Sequence, residues 1–408
     1  MSLEFDPWRS MTTAVDVVGM SHAVPARLAQ VQAARLAALL AAARRAPWHA
    51  ARLAPFADDA PLAALPVMDK AALMAHFDDA LTDADVTLET ARAFVRDPAR
   101  IGWPLARRHA VWESSGSSGS PGLFLHDPAA LAVYDALEAL RPAMADPRAS
   151  WMGAARGSRT AFVGAIDGHF ASHASLQRLR RLNPWLAPTL RSFSILQPMR
   201  TLRAELDAWQ PARLASYPTA AALLAAHQQQ GLLHLRLAQV MTGGETLGAA
   251  QRKAIAAAFG CPVRNSYGAS EFLTIAAECA HEALHLNADW ALLEPVDRDL
   301  RAVPEGTLSH TTLLTNLANH VQPLLRYDLG DRVRFVPGRC ACGSPLPVIE
   351  VHGRHDDVLH VRSVRGQWVT LLPLALSTVL EDEAGVFDFQ LCQRDARTLV
   401  LRLGAEAG

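Results

Sequence analysis

Glu113 to Gly122 reads ESSGSSGSPG, packing hydroxyls and glycines into a loop short enough to wrap a polyphosphate. Gly116, Gly119 and Gly122 let backbone N–H groups approach an anion closely, while Ser114, Ser115, Ser117 and Ser118 offer hydroxyl donors. A flexible Ser/Gly linker fits the same composition. The flanks favour a loop between regular elements: HAVWES upstream reads as a short strand, and Pro128 to Ala145 downstream has helical periodicity. The pattern is neither a dinucleotide fingerprint nor a Walker loop, because GxGxxG is absent and Ser120 stands where the Walker lysine would follow.

Outward from this loop, helical segments alternate with short apolar runs. Ala26 to Ala46, Ala129 to Ala145, Leu202 to Trp209, Thr219 to Gln230 and Leu247 to Phe259 read as helices. Between the later ones lie TAFVGAI, RLASY, LAQVMTGG and PVRNSYG. Helix alternating with buried strand is the α/β pattern, and several runs end in Gly, Ser or Tyr, where ligands collect in open α/β sheets. After about Glu278 the pattern turns to strands and turns, through LHLNADWALLEPV, GTLSHTTLL, RVRFV and LPVIEVHG. Beyond Arg354, two strand-like runs (DDVLHVRS and TLVLRLG) flank a helix near Leu371 to Leu380.

With 408 residues and 50% hydrophobic content, the chain can bury a large core shared among subdomains. A formal net charge of −1 removes the electrostatic argument for nucleic-acid or anionic-membrane binding and points to small-molecule partners. Glu4, Asp6 and Arg9 precede any apolar run, so a secretion-signal layout is absent, and a cytoplasmic setting is expected. The most apolar windows fall short of a membrane span. Five cysteines in so long a chain do not make a disulfide scaffold. Of 39 basic residues only Lys70 and Lys253 are lysines, which turns every missing lysine into a chemical question.

Four further clusters carry chemistry. Gly243 and Gly244 permit close backbone approach to a planar ligand, and Glu245 begins a turn into a helix; an ordinary strand-to-helix turn explains them equally. In NSYGASE, Tyr267 offers a flat face to a nucleobase, Gly268 a turn and Glu271 an oxygen ligand suited to Mg²⁺, unless this is only a capped helix start with a core tyrosine. RYDLGDRVRF sets Asp331 after a glycine turn, suited to receiving two ribose hydroxyls, and GRHDD sets Arg354 beside paired acids. Each of these last two reads alone as a polar turn.

In this order, SSGSSGSPG, GGE, YGASE, RYDLGD and GRHDD resemble the adenylate-forming superfamily of acyl-CoA synthetases. More narrowly they resemble the phenylacetate-CoA ligase and coenzyme F390 synthetase branch, over roughly residues 25 to 365. The resemblance implies an α/β fold with a large N-terminal body over 1–353, β-rich and zinc-bearing at about 278–353, and a shortened α+β C-terminal domain over 354–408. It implies that a carboxylic acid, aromatic in this branch, attacks ATP to form an acyl-adenylate, which passes to CoA or a carrier-protein thiol. By resemblance, Ser114, Ser115, Gly116, Ser117, Ser118, Gly119 and Ser120 cradle the β/γ-phosphates. Gly243, Gly244 and Glu245 wall the adenine pocket, and Tyr267 and Gly268 line the adenine and α-phosphate region. Glu271 holds Mg²⁺, Asp331 the ribose hydroxyls, and Arg354 the ribose or phosphate edge. Neither nucleic acid nor membrane is an expected partner, and a homodimer is left open.

Sulfur and imidazole give a separate signal. Cys279, His285, Cys340 and Cys342 have the composition of a structural Cys₃His zinc site, with His281 as a rival ligand and unrelated cysteines as the alternative. The resemblance fails at the cations. Relatives carry a catalytic lysine in the C-terminal domain and another in the phosphate loop, whereas residues 254–408 hold no lysine and Ser120 replaces the second. Arg362, Arg365, Arg394, Arg397 and Arg402 are the C-terminal candidates, although a planar guanidinium does not simply replace an ammonium. A non-catalytic nucleotide-binding relative, or a split enzyme completed by a partner chain, is therefore the alternative. The acid pocket is expected around Phe162 to Phe170, Tyr217, Pro218 and Ala269, with His169 and His173 as surface histidines or as groups that orient the acid.

Overall fold

The computed structural model of the chain describes residues 4–57, 59–114, 121–155, 157–355, 359–363, 366–371, 376, 379–380 and 389–403. Strands β1 (Ala110–Glu113) and β2 (Leu123–His126) pair antiparallel, Glu113 opposite Leu123, and the serine-glycine loop joins their ends. Strands β3 (Thr160–Gly164), β4 (Leu190–Ser194), β5 (Arg213–Ser216) and β6 (Gln239–Thr242) run parallel. Helices Ala171–Leu182, Met199–Trp209, Pro218–Gln229 and Ala249–Phe259 supply the crossovers. Strand β7 (Val263–Ala269) is the pivot: it pairs parallel to β6 on one side and antiparallel to β8 (Phe272–Glu278) on the other.

Past this pivot the chain becomes the β-rich part that the sequence predicts. Strand β9 (Leu284–Leu286) follows β8, while β10 (Ala291–Val296), β11 (Thr311–Asn316) and β12 (Tyr327–Asp328) form a separate antiparallel sheet. Strands β13 (Asp331–Val336) and β14 (Val348–Arg354) return to the main sheet, whose order is β13-β14-β9-β8-β7-β6-β5-β3-β4. Two hairpins follow, β15 (Leu359–Arg362) with β16 (Trp368–Leu371), and β17 (Phe389–Gln393) with β18 (Leu399–Leu403). The Arg362 N–H donates to the Ala396 carbonyl at 2.6 Å, tying one hairpin to the other.

Two apolar cores fix these layers. One joins Val163, Leu214, Val240, Ile255 and Val263 between the parallel strands and their helices; the other packs Trp112, Phe124, Tyr134 and Phe272 where the β1–β2 ribbon meets the antiparallel strands. Burying each such large side chain contributes about 1.5–3 kcal/mol, so both seams around β7 are held firmly. The expected helices are present with starts shifted by a few residues, for example Met199–Trp209 for Leu202 to Trp209. Leu371 ends strand β16 rather than opening a helix, and much of the stretch to Leu380 lies outside the described residues. Among the described residues, no helix is long and apolar enough to cross a membrane.

Candidate active site

A cleft of about 2160 Å³ opens where β5 and β6 end and β7 turns into β8, the position at which open α/β sheets bind ligands. Ser114, Gly243, Gly244, Glu245, Tyr267, Gly268, Glu271, Asp331 and Arg354 all line it. Ser115, Gly116, Ser117, Ser118, Gly119 and Ser120 lie outside the described residues. The neck of their loop is well defined: the Ser114 N–H donates to the Gly122 carbonyl at 2.9 Å, and Ser114 Oγ accepts from the Gly122 N–H at 2.8 Å. This hydroxyl closes the loop.

Tyr267 and Asp331 come from different strands, yet the tyrosine hydroxyl donates to Asp331 Oδ2 at 2.5 Å. Burial, and next the charge of Asp331, push the phenol well above its usual value, so it stays a donor. Asp331 opens β13 and pairs in register with Arg354 at the end of β14, whose Nη1 lies 3.8 Å from Asp331 Oδ1. Gly330 sits at φ +75°, a conformation that favours glycine, and a Cβ there would stand 2.7 Å from Arg354 Nη2, so a side chain would also push the guanidinium aside. Gly268 is required more strictly still. A Cβ on it would fall 1.9 Å from the Leu273 carbonyl oxygen, where β7 folds back on β8.

Glu271 lies in that fold-back, 9% exposed, with its backbone carbonyl accepting from Asn316 Nδ2 at 2.8 Å. Its side chain accepts from the Tyr327 hydroxyl, while burial raises its carboxyl above the ordinary range. A divalent cation would reverse that shift, and a carboxylate in this position has the chemistry a Mg²⁺ site needs. Glu245 behaves differently from its expected role. Its Oε2 accepts from both the N–H (3.1 Å) and the hydroxyl (2.7 Å) of Thr219, so it caps the preceding helix Pro218–Gln229 rather than its own. His169 and His173 are not surface residues: they are 1% and 5% exposed, against the Asp97 carbonyl and Ser192 Oγ respectively.

At the far end of β8 the four expected zinc ligands meet. The donor atoms of Cys279, His285, Cys340 and Cys342 lie within 4.8 Å of one another. Cys279 Sγ and Cys340 Sγ are 3.7 Å apart, close to the edge that a tetrahedron with Zn–S bonds of about 2.3 Å requires. Cys342 Sγ stands 3.2 Å from His285 Nε2, and His285 Nδ1 donates to the Leu346 carbonyl at 2.9 Å. That bond selects the tautomer whose Nε2 lone pair faces the sulfurs. His281, the rival, contributes only its backbone N–H, 3.4 Å from Cys279 Sγ.

No family model and no curated protein matches the sequence. Among solved structures, 2-hydroxyisobutyryl-CoA ligase in the postadenylation state with 2-HIB-AMP matches at a TM-score of 0.67. The identity is 21%, covering 98% of this chain and 81% of that one. The same ligase with 2-HIB-AMP and CoA, in its thioesterification state, matches at 0.60 with 22% identity over 94% of this chain and 80% of that one. The chain has the fold of adenylate-forming acyl-CoA ligases.

In this adenylate-forming fold the cations of the cleft are few. Arg252 is bound to Glu278 at 2.5 Å and Arg264 to Asp146 at 2.7 Å, while Arg354, beside Asp331, and Lys70 also line the cleft. Sequence reasoning missed Lys70. It comes to the cleft because Met68 bridges to Tyr327 of β12, Met68 N–H donating to the Arg326 carbonyl at 3.2 Å. Its stem lies against the loop neck, since a Cβ on Gly122 would meet Lys70 Cδ at 3.1 Å. The available signal was its rarity, one of two lysines in the chain. Arg362, Arg394, Arg397 and Arg402 are not among the residues lining the cleft, and Arg365 lies outside the described residues.

Proposed function

We propose that this chain activates a carboxylic acid with ATP and transfers the acyl group to CoA or a carrier-protein thiol. The observation that carries this reading is the convergence of Tyr267, Glu271, Asp331 and Arg354, with the Ser114 neck, on one cleft of an adenylate-forming fold. A carboxylate oxygen attacks the α-phosphorus and the bond to the β-phosphate oxygen breaks, releasing pyrophosphate. The thiol, losing its proton, then attacks the acyl carbon, and AMP leaves. Such in-line displacement at phosphorus needs positioning and charge neutralisation more than covalent help. Glu271 is the Mg²⁺ ligand, and the bound ion would neutralise phosphate charge. Tyr267 stacks on adenine and fixes Asp331, which takes the ribose hydroxyls, and Arg354 steadies the ribose or phosphate edge. Gly243 and Gly244 let the backbone approach adenine.

The narrower assignments belong to the same proposal: the phenylacetate-CoA ligase-like branch, an aromatic acid, a structural zinc on the cysteine-histidine cluster, and a division of the chain at residues 353 and 354. The seven loop residues from Ser114 to Ser120 cradle the β/γ-phosphates with Lys70 as their cation. Pyrophosphate exchange into ATP, measured across a panel of acids, tests the reading. Acid-dependent exchange is the expected result, and its absence in protein that binds Mg·ATP overturns acid activation by this chain.

Two variants sharpen the roles. Lys70→Met removes a charge-assisted phosphate contact of about 1.5–3 kcal/mol, so the Kd for Mg·ATP should rise about 10–100-fold. An unchanged Kd would put Lys70 outside the phosphate site. Asp331→Ala should weaken ATP and AMP alike by about 10–100-fold, since both carry the ribose. If calorimetry finds ATP weakened and AMP unaffected, Asp331 does not hold the ribose.

A further inference from the structure

Opposite the nucleotide end, the cleft continues between helices Pro128–Ala145 and Ala171–Leu182 and over β3, β4 and β5. Phe162, Leu176, Leu179 and Leu190 give this end an apolar wall. Glu138 interrupts it. The side chain is exposed to the cleft, beside Asp135 on the same helix. Oε1 accepts from the Thr274 hydroxyl at 3.1 Å, and Oε2 has no protein partner among the described residues. Arg178, the nearby cation, is bound to Asp135 instead.

A cleft-facing carboxyl oxygen without a protein partner is a ready acceptor for a ligand's donor, and an apolar ligand that displaces its water leaves it unmatched. Ser175, on the facing helix, differs: its Oγ is buried away from the cleft, which leaves Glu138 as the group that presents an open acceptor there. Thr274 stands on β8 just past Glu271, so the strand that leads from the metal position also holds Glu138 in place. A ligand with its carboxylate at the nucleotide end would run along the apolar wall and present its far end to Glu138.

We infer that the acyl end of the cleft is built for a carboxylic acid whose far end carries a hydrogen-bond donor, an amine or a hydroxyl, and that Glu138 is the residue that selects it. This inference rests on the acid-activating reading and names its substrate class. An apolar acid of the same size leaves the Glu138 carboxyl unmatched, and sites built around a hydrogen bond reject such analogues more strongly than apolar pockets reject a size mismatch.

The test uses the full chain and three acids matched in size, 4-(aminomethyl)benzoate, 4-(hydroxymethyl)benzoate and 4-ethylbenzoate, with the corresponding phenylacetates for length. Calorimetry should find the donor-tipped acids binding about 10–100-fold tighter than the ethyl acids in at least one series. Glu138→Leu should invert that order, and Glu138→Gln should keep the hydroxymethyl acid while losing the preference for the amine. Unchanged ATP affinity in both variants controls for folding. Ethyl acids binding as well as the others, an order that survives Glu138→Leu, or no binding by any acid would each overturn the inference. Binding needs no turnover, so the two readings fail separately. A preserved order without pyrophosphate exchange sinks only acid activation; exchange at equal kcat/KM with all three tips sinks only the role of Glu138.

Discussion

Replacing Glu271 with glutamine should lower acid-dependent pyrophosphate exchange by about 10²–10³-fold, the loss typical when a charge-stabilising group is removed from a reaction centre. Glutamine keeps the shape, and its amide oxygen can still accept from the Tyr327 hydroxyl, so the β7–β8 fold-back and its bond to Asn316 should survive. What disappears is the negative charge that Mg²⁺ requires. The loss should therefore sit in the metal dependence, with exchange in the variant demanding far more Mg²⁺ and partly recovering at high concentration. Tyr327→Phe is the companion change. It removes the hydroxyl from Glu271 without touching the charge, so it should cost much less. Equal losses in both variants would mean that the pair acts as packing, and an unchanged Glu271→Gln would remove the carboxylate from the metal site.

How much of this was legible in the sequence depends on which forces set each feature. Alternating helix and apolar run announced the parallel strands β3, β5 and β6, because burial on both sheet faces leaves a local signature, whereas β4 with its polar LRSFS run was not read as a strand. The glycines at 268 and 330 were legible as turns. That Gly268 escapes a clash with the Leu273 carbonyl depends on a contact across strands. Glu245 was read toward its own helix, yet it caps Pro218–Gln229, since a carboxylate satisfies whichever unpaired N–H the tertiary fold brings near. The places of Lys70 and Glu138 in the cleft were not legible for the same reason. Neither lies in a recognisable motif, and each becomes chemical only when Met68 meets Tyr327 or when helix Ala171–Leu182 faces helix Pro128–Ala145 across the cleft. The cysteine-histidine cluster was fully legible, because metal-binding residues are scarce enough for spacing to carry information.

That cluster carries the second large effect. Protein expressed with zinc and dialysed exhaustively should retain about one ion per chain on Cys279, His285, Cys340 and Cys342. A structural zinc contributes about 10–16 kcal/mol in small zinc domains, or about 2.5–4 kcal/mol per ligand shared among four, so Cys342→Ser should weaken zinc by about two to three orders of magnitude. The consequence is local. Cys340 and Cys342 belong to the connection between β13 and β14, while Cys279 and His285 belong to the β8–β9 hairpin, so the ion staples those two pieces together. Apolar packing holds the parallel strands independently. Zinc loss should therefore raise hydrogen exchange between residues 337 and 347 while leaving β3 to β6 protected. The same hairpin carries Asp331 and Arg354 at its other end, so ATP should bind more weakly to the zinc-free protein than to the loaded one. His281→Ala should leave zinc in place, because only its backbone N–H reaches the cluster. Metal-free protein from a zinc-supplemented culture, or a Cys342→Ser variant that keeps its ion, would reduce the four residues to a chance approach.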